Sequence, residues 1–389
     1  MTENFPELPA ICMVESQDQP DDAINGDRPR ARKMITTNVD EGNDLPSAQM
    51  IEEIISAYGL ERLQIDGESH EGTGYVTFRI ITSKGVLALR RKKGSASKII
   101  AKHPDIGNSI EAQHRLILFL QDHCFPVATP LLTKKKETYV NILGIPCSLY
   151  PYIEGHPLDP RNLHQLRASA ETLAKYHELT ARYSGVPPLS QTPFSELFAQ
   201  KLNDFREQSA TFEDSRLMLR MGESLLSFNI GLDEIEFEMQ NVPYSSLPKV
   251  VIHGDYKPEN ILFRGNDVAA VIDFGRSRNE ARLFDIAKTI AGLLGTSDDT
   301  TFLNMTRVFF AGYNSICPLN RSERESLFSL IQARVAIKNL DRFSRLAKKT
   351  DMAEKRAKAE RFNRLGQNLQ SLRNNSEAIT RLFQETATS

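Results

Sequence analysis

Asp255, Asn260 and Asp273 are polar residues set among apolar ones between positions 250 and 275. They sit in Val250-Val251-Ile252-His253-Gly254-Asp255-Tyr256-Lys257-Pro258-Glu259-Asn260-Ile261-Leu262-Phe263. After a turn at Gly265-Asn266-Asp267, the second Asp follows in Val268-Ala269-Ala270-Val271-Ile272-Asp273-Phe274-Gly275. Short apolar runs bounded by turn residues read as strands, so the block reads as a β-hairpin whose loops present the polar residues. Phosphoryl transfer needs hard oxygen ligands for Mg²⁺ and a carboxylate that orients the attacking hydroxyl. Asp, Asn and a second Asp meet both needs, and the adjoining strands hold them more firmly than a mobile loop would. Each residue alone is an ordinary turn former; the chemistry lies in their joint spacing.

The elements that must position these residues fall into two groups. In the first, Ser47–Tyr58 is expected to be helical, with Met50, Ile51, Ile54, Ile55 and Tyr58 on one face. Gly74–Ile81 and Val86–Arg90 read as strands joined at Ser83-Lys84-Gly85, and alternation puts Arg90 and Lys92 on one face with Arg91 opposite. A helix over Ile106–His123 precedes strands Thr138–Leu143 and Ile145–Tyr152, which meet at Gly144. Beyond Gly155 the pattern is helical: Leu163–Tyr183, Phe194–Phe205, Arg216–Ser227, Leu232–Gln240, then Leu283 to the end. The plan is α+β, with a small β-rich N-lobe at 47–152 and a larger, mostly helical C-lobe at 153–389. Residues 1–46 read as a disordered, mostly acidic tail with a basic cluster at Arg28, Arg30, Arg32 and Lys33.

Composition narrows the class. The chain has 389 residues, a formal net charge of −2 and a hydrophobic fraction of 40%, which suits a soluble globular protein with one bilobal domain or two domains plus tails. Near-neutral charge argues against a nucleic-acid binder. No apolar run approaches the roughly 20 residues of a membrane span, and no secretory signal stands at the start. Cys12, Cys124, Cys147 and Cys317 are scattered, as expected of reduced thiols in a cytoplasmic protein rather than a zinc site or disulfide framework. No motif speaks to oligomeric state.

His253-Gly254-Asp255 through Asn260, followed by Ile272-Asp273-Phe274-Gly275, resembles the catalytic signature of aminoglycoside phosphotransferases. Choline kinase-like, homoserine kinase-like and methylthioribose kinase-like enzymes share that signature and a bilobal protein-kinase-like fold. The resemblance spans about Leu60 to Leu382 and is strongest over His253–Gly275. It implies ATP and Mg²⁺ as cofactors. Asp255 would orient the acceptor hydroxyl, Lys257 would steady the transferring phosphate, and Asn260 and Asp273 would hold the metal. On the nucleotide side it implies a phosphate cradle at Gly72, Thr73 and Gly74. It further implies Arg90 as the phosphate-binding cation, Glu111 as the partner of that cation, and Tyr150 and Ile153 in the linker beside the adenine. Asp285, in Leu283-Phe284-Asp285-Ile286-Ala287, would brace the catalytic loop.

The acceptor is less legible. The interval from Gly275 to Ile286 lacks Ala-Pro-Glu and room for an activation segment, and Gly254 stands where many protein kinases carry Arg. Both departures favour a small-molecule hydroxyl acceptor, aminoglycoside-, choline- or homoserine-like. A protein Ser/Thr kinase of the same branch is the alternative. Arg90 in place of Lys, with a sparse glycine loop, leaves a pseudokinase or nucleotide-binding scaffold as another. Asp233-Glu234-Ile235-Glu236-Phe237-Glu238 would either attract a cationic substrate or form a solvated face. No dense aromatic cage for choline is present. The basic C-terminal stretch, with Phe362, Leu365, Leu369, Leu372, Ile379 and Phe383 at near-heptad spacing, would serve a partner helix or an anionic surface or, the favoured reading, pack back onto the large lobe.

Overall fold

Alternation along the early strands buries one face of a sheet. In the computed structural model, which describes residues 46–71, 74–102, 105–188, 192–210, 215–294, 298–347 and 352–385, the chain divides into two compact units. The first comprises Met1–Ile106, Gln121–Cys124 and Pro130–Tyr152; the second comprises Gly107–Leu120, Phe125–Thr129 and Ile153–Ser389. The N-terminal tail with its basic cluster, and the cradle residues Gly72 and Thr73, lie outside the described residues.

The first unit contains α1 (Ala48–Tyr58), β1 (Leu63–Glu71), β2 (Tyr75–Thr82), β3 (Gly85–Lys92), α2 (Ala96–Lys102), β4 (Val140–Ile142) and β5 (Ile145–Pro151). Its strands form an antiparallel sheet in the order β1-β2-β3-β5-β4. Ser47 caps α1 by accepting a hydrogen bond from the Met50 amide at 3.2 Å, and Gly59, at φ 63°, ends it. Met50, Ile54 and Tyr58 of α1 form one core with Val76, Phe78, Ile80, Leu87, Leu89 and Leu149 of the sheet. Arg91 points into the sheet's buried side, while Arg90 and Lys92 share the other face with Tyr75, as alternation requires. Sequence pattern did not foresee β1. Its residues are mostly polar, and backbone pairing to β2 defines it, with a register shift between Ile65 and Ser69 that spans Gly67.

The second unit contains α3 (Ile106–Asp122), apart from its ends, followed by β6 (His156–Pro157), α4 (Leu163–Thr180), α5 (Phe194–Ala210) and α6 (Ser215–Asn241). Next come β7 (Lys249–Ile252), β8 (Ile261–Arg264), β9 (Asp267–Val271) and β10 (Arg278–Ala281). The chain finishes with α7 (Leu283–Leu293), α8 (Asp299–Asn314), α9 (Arg321–Ala347), α10 (Met352–Asn374) and α11 (Ser376–Gln384). Leu116, Ile117 and Leu120 of α3 join the core of this unit, so the division departs there from a single cut after residue 152.

Two expectations change. The 250–273 block is not one hairpin: β7 pairs with β10, whereas β8 pairs with β9 and β6. The connection from β7 to β8 turns left-handed at Gly254 and then forms a 3₁₀ turn at Pro258–Asn260, a path that two directly paired strands would not permit. The two helices expected over Arg216–Gln240 are one, α6. Gly231 does not break it; the Arg373 guanidinium closes on that bare backbone and donates to the Gly231 carbonyl at 2.9 Å. The C-terminal helices do pack back: Phe362, Leu369, Leu372, Ile379 and Phe383 are buried in the large core. Among the described residues no helix is long and apolar enough to cross a membrane.

The start of α7 is anchored by a nearly dry ion pair. Arg282 donates to Glu323 at 2.6 and 2.8 Å and to the Pro318 carbonyl at 3.0 Å, and the Glu323 side chain is fully buried. Removing one partner of such a pair strands the other charge. Glu323→Ala is therefore expected to cost about 3–5 kcal/mol in a urea titration. Glu323→Gln, which keeps an acceptor for the guanidinium, is expected to cost less.

Candidate active site

The loop after β7 is shaped by Gly254. Its φ is 75°, and a Cβ there would collide with the Arg276 carbonyl and stand 2.8 Å from Nη1 of Arg278. Only glycine admits both the left-handed turn and this approach. The loop then runs through Asp255 to the 3₁₀ turn, where Asn260 is buried. Nδ2 of Asn260 donates to the Asp255 carbonyl at 2.8 Å and lies 3.4 Å from Asp255 Oδ2. With its amide nitrogen so engaged, Asn260 keeps its side-chain oxygen for a cation.

Asp273 reaches the same place from β9. The Ile272 amide donates to the Asn260 carbonyl at 2.9 Å, and the His253 ring bonds the Ile272 carbonyl at 3.1 Å. Asp273 itself sits at φ 65°, ψ 61°, left-handed backbone that Asp tolerates better than most side chains, and its residue is exposed. The structure thus brings Asp255, Asn260 and Asp273 together from two separate sheets. An Asn oxygen and an exposed carboxylate form the sparse oxygen set that suits Mg²⁺, which takes its remaining ligands from water and phosphate.

Asp285, fully buried at the start of α7, holds the loop in shape. Its Oδ2 accepts from the His253 amide at 2.8 Å and its Oδ1 from the Gly254 amide at 2.9 Å. His177 on α4 adds a contact at 3.3 Å, and its other ring nitrogen meets the Tyr313 hydroxyl at 2.8 Å. Burial pushes the His177 imidazole down, so it is neutral. We assign the Nε2 proton to the bond with Asp285 and the acceptor role at Nδ1 to the bond with Tyr313. Burial would raise the Asp285 carboxyl, but the His177 hydrogen bond and neighbouring positive charge hold it below the usual range. Tyr256 fastens the next stretch by donating to the Ser169 carbonyl at 2.8 Å.

Lys288, one turn beyond Asp285, is the residue that sequence reasoning missed. Its Nζ donates to the Gly254 carbonyl at 2.6 Å and to Asp255 Oδ1 at 2.5 Å. Burial pushes Lys288 down to about 8, against the pull of Asp255. Burial alone would raise Asp255, but the Lys288 charge and hydrogen bond, then Lys257 and Arg276, outweigh it and hold the carboxyl at about 2. Asp255 is therefore a carboxylate across the physiological range. A signal was present: Lys288 is a lone charge inside the otherwise uncharged, mostly apolar run Ile286–Leu293. Lys257 lies beside Asp255, with Nζ 3.4 Å from Asp255 Oδ2.

The nucleotide-side candidates are spread over both units. Arg90 on β3 stacks on Tyr75 with its guanidinium carbon 4.1 Å from the ring centroid, and Lys92 lies 4.6 Å from that ring. Gly74 stands beside this cluster; a Cβ there would meet Lys92 Nζ at 3.3 Å. Tyr150 is buried in β5 opposite Ala88, and Ile153 follows half-buried. Glu111 is on α3, exposed, 3.4 Å from Arg115 of the same helix. The acidic stretch is committed internally. Arg206 binds Asp233 at 2.8 Å and Glu236 at 2.7 Å, Arg373 binds Glu234 at 2.5 Å, and Gln332 donates to Glu238 at 2.6 Å.

A model of the phosphotransferase enzyme family matches residues 77–319. A homoserine kinase of Caulobacter sp. (strain K31) is 28% identical over 215 residues, covering 54% of this chain and 62% of the relative. The chain thus spans about three fifths of the length of the curated relatives it matches. An aminoglycoside phosphotransferase from Alicyclobacillus acidocaldarius has the same fold, with a TM-score of 0.61 at 17% identity over 87% of this chain and 98% of that one. Amicoumacin kinase hAmiN, in complex with AMP-PNP, Ca²⁺ and Ami, superposes with a TM-score of 0.59 at 14% identity over 81% of this chain and 92% of that one.

The Lys288–Asp255 contact sets a pH test. Lys288→Met removes the strongest influence lowering Asp255, so the acidic limb of any pH–rate profile should move to higher pH. In the native chain the stability drawn from Asp255 is complete above its ordinary value of 3.8 and is lost as pH falls through about 2. Asp285→Asn tests the clamp. An amide turns a donor toward one of two backbone donors, at a cost of about 1–3 kcal/mol. A lower melting temperature and a kcat reduced by roughly tenfold or more are expected.

Proposed function

The chain belongs to the phosphotransferase enzyme family, and on that premise we propose that it transfers the γ-phosphate of ATP to a hydroxyl of a small molecule. The observation that carries this reading is the state of Asp255: ionised by Lys288, aimed by Asn260, and set on a loop whose backbone Asp285 fixes. A carboxylate so placed can accept the hydroxyl hydrogen bond and draw off the proton as the oxygen attacks. Asn260, through its side-chain oxygen, and Asp273 would hold Mg²⁺. When bound, that ion supplies positive charge to the phosphate oxygens. Lys257, near Asp255 and half-exposed, would steady the transferring group as a point charge.

Gly74, Arg90, Glu111, Tyr150 and Ile153 are assigned to the nucleotide side, with Gly72 and Thr73 as the rest of the cradle. Arg90 lies over the Tyr75 ring, and an always-charged planar fork suits phosphate oxygens. The AMP-PNP complex of amicoumacin kinase supports ATP as donor, and the homoserine kinase relatives support a small alcohol as acceptor. A cytoplasmic setting, which supplies ATP and keeps thiols reduced, fits both.

The test is phosphate transfer from ATP across homoserine, amino alcohols, sugars and aminoglycosides, with and without Mg²⁺. Metal-dependent transfer is expected, and Asp255→Asn should reduce it by several orders of magnitude, since positioning supplies roughly 7–11 kcal/mol of such barriers. Absence of nucleotide binding and of transfer to every acceptor would overturn the reading.

A further inference from the structure

Basic side chains gather around the catalytic loop without carboxylate partners. Among the described residues, Arg276, Arg278, Arg334 and Lys338 form no ion pair. Arg278, at the start of β10, lies over the Phe284 ring with its guanidinium carbon 4.4 Å from the centroid. Its Nη1 approaches the Arg276 carbonyl at 3.4 Å and rests against Gly254, next to Asp255. Arg334 on α9 reaches the same Phe284 ring, at 5.9 Å. Lys338 follows it by four residues and so shares its helix face. The Nε atoms of Arg278 and Arg334 are both buried without a hydrogen-bond partner.

These groups sense one another and the catalytic loop. Burial holds Arg334 below the usual guanidinium range; the charges of Arg276 and Arg278 add to that, while Asp341 and Asp255 oppose it. Burial also pushes Lys338 down to about 8, helped by Arg334 and Arg342 and opposed by Glu259. Cations sheltered from water without a counter-charge are costly, and an incoming anion relieves that cost. The carboxylates that act on the cluster, Asp285 and Glu280 at Arg278, Asp341 and Asp255 at Arg334 and Glu259 at Lys338, form no ion pair with it, and Asp255 is already engaged by Lys288 and Lys257. The acidic stretch on α6, the expected attractor of a cationic substrate, is spent on Arg206, Arg373 and Gln332.

We propose that Arg278, Arg334 and Lys338 form an anion-binding subsite that takes a carboxylate of the hydroxyl acceptor, an inference that rests on the small-molecule kinase reading. Two guanidinium forks and an ammonium match a carboxylate in charge and geometry. Anchored there, the acceptor would present its hydroxyl to Asp255. Arg334 and Lys338 lie beyond the family match at 77–319, whereas Asp255, Asn260 and Asp273 lie within it. That division suits residues that choose the acceptor rather than handle the phosphate.

The experiment uses matched probes, homoserine against homoserinol and glycerate against glycerol, titrated calorimetrically into the full-length chain with AMP-PNP and Mg²⁺. Each carboxylate is expected to bind at least about tenfold tighter than its neutral or cationic counterpart. Arg334→Met and Lys338→Met should erase that preference, and Lys338→Arg should keep it. Melting curves show that each variant is folded. Asp255→Asn should abolish transfer yet retain the carboxylate preference, which separates failure of the subsite from failure of the kinase reading. Equal binding of the members of each pair by the native chain, or a preference that survives in folded Arg334→Met and Lys338→Met, overturns the proposal. So does weakened AMP-PNP binding in those variants with the preference intact, which would assign the cluster to the nucleotide phosphates.

Discussion

A buried carboxylate must find hydrogen-bond donors, and Asp285 finds them on the backbone of the catalytic loop. Two consecutive amides, those of His253 and Gly254, point at one side chain, so neither loop nor helix can shift without leaving a buried charge unsatisfied. The rest of the unit is arranged around that demand. Arg282 and Glu323 fix the start of α7, where Asp285 projects. His177 of α4 and Tyr313 of α8 line up behind the carboxylate to complete its donor set. Lys288, one turn onward on α7, is thereby delivered to Asp255. One buried contact thus bears on both the position and the ionisation of Asp255.

Charge is allocated unevenly in the second unit. Acidic side chains on α6 are paired with Arg206 and Arg373 or hydrogen-bonded by Gln332, which ties α5, α10 and α9 to α6. Among the described residues, Arg276, Arg278, Arg334 and Lys338 near the Asp255 loop form no ion pair. Net charge near zero for the whole chain conceals this separation, which exists only once helices distant in sequence are folded together.

The candidate site residues were legible in the sequence because their pattern is local: Asp255 and Asn260 are five apart, and Asp273 follows the next strand. Helices with a clear apolar stripe, such as α1 and α4, were legible for the same reason. Strand partnership was not. β7 pairs with β10, which lies beyond Asp273, and no short-range pattern encodes that choice. The break expected inside α6 failed because Gly231 is compensated by Arg373, a residue 142 positions away. The placement of Lys288, Arg334 and Lys338 depends on how α7 and α9 pack, a property of the fold rather than of spacing.

The same reasoning explains why β1 escaped notice. It is the outermost strand of its sheet, and Asp66, Glu68, His70 and Glu71 give it none of the alternation that marks a half-buried strand. An edge strand offers unpaired backbone to any other chain, and charge together with a register break is how proteins discourage that docking. The opposite edge, β4, is only three residues long. A polar sequence of this kind makes an edge strand a poor template for another chain, while the interior strands, paired on both sides, are as apolar as their core requires.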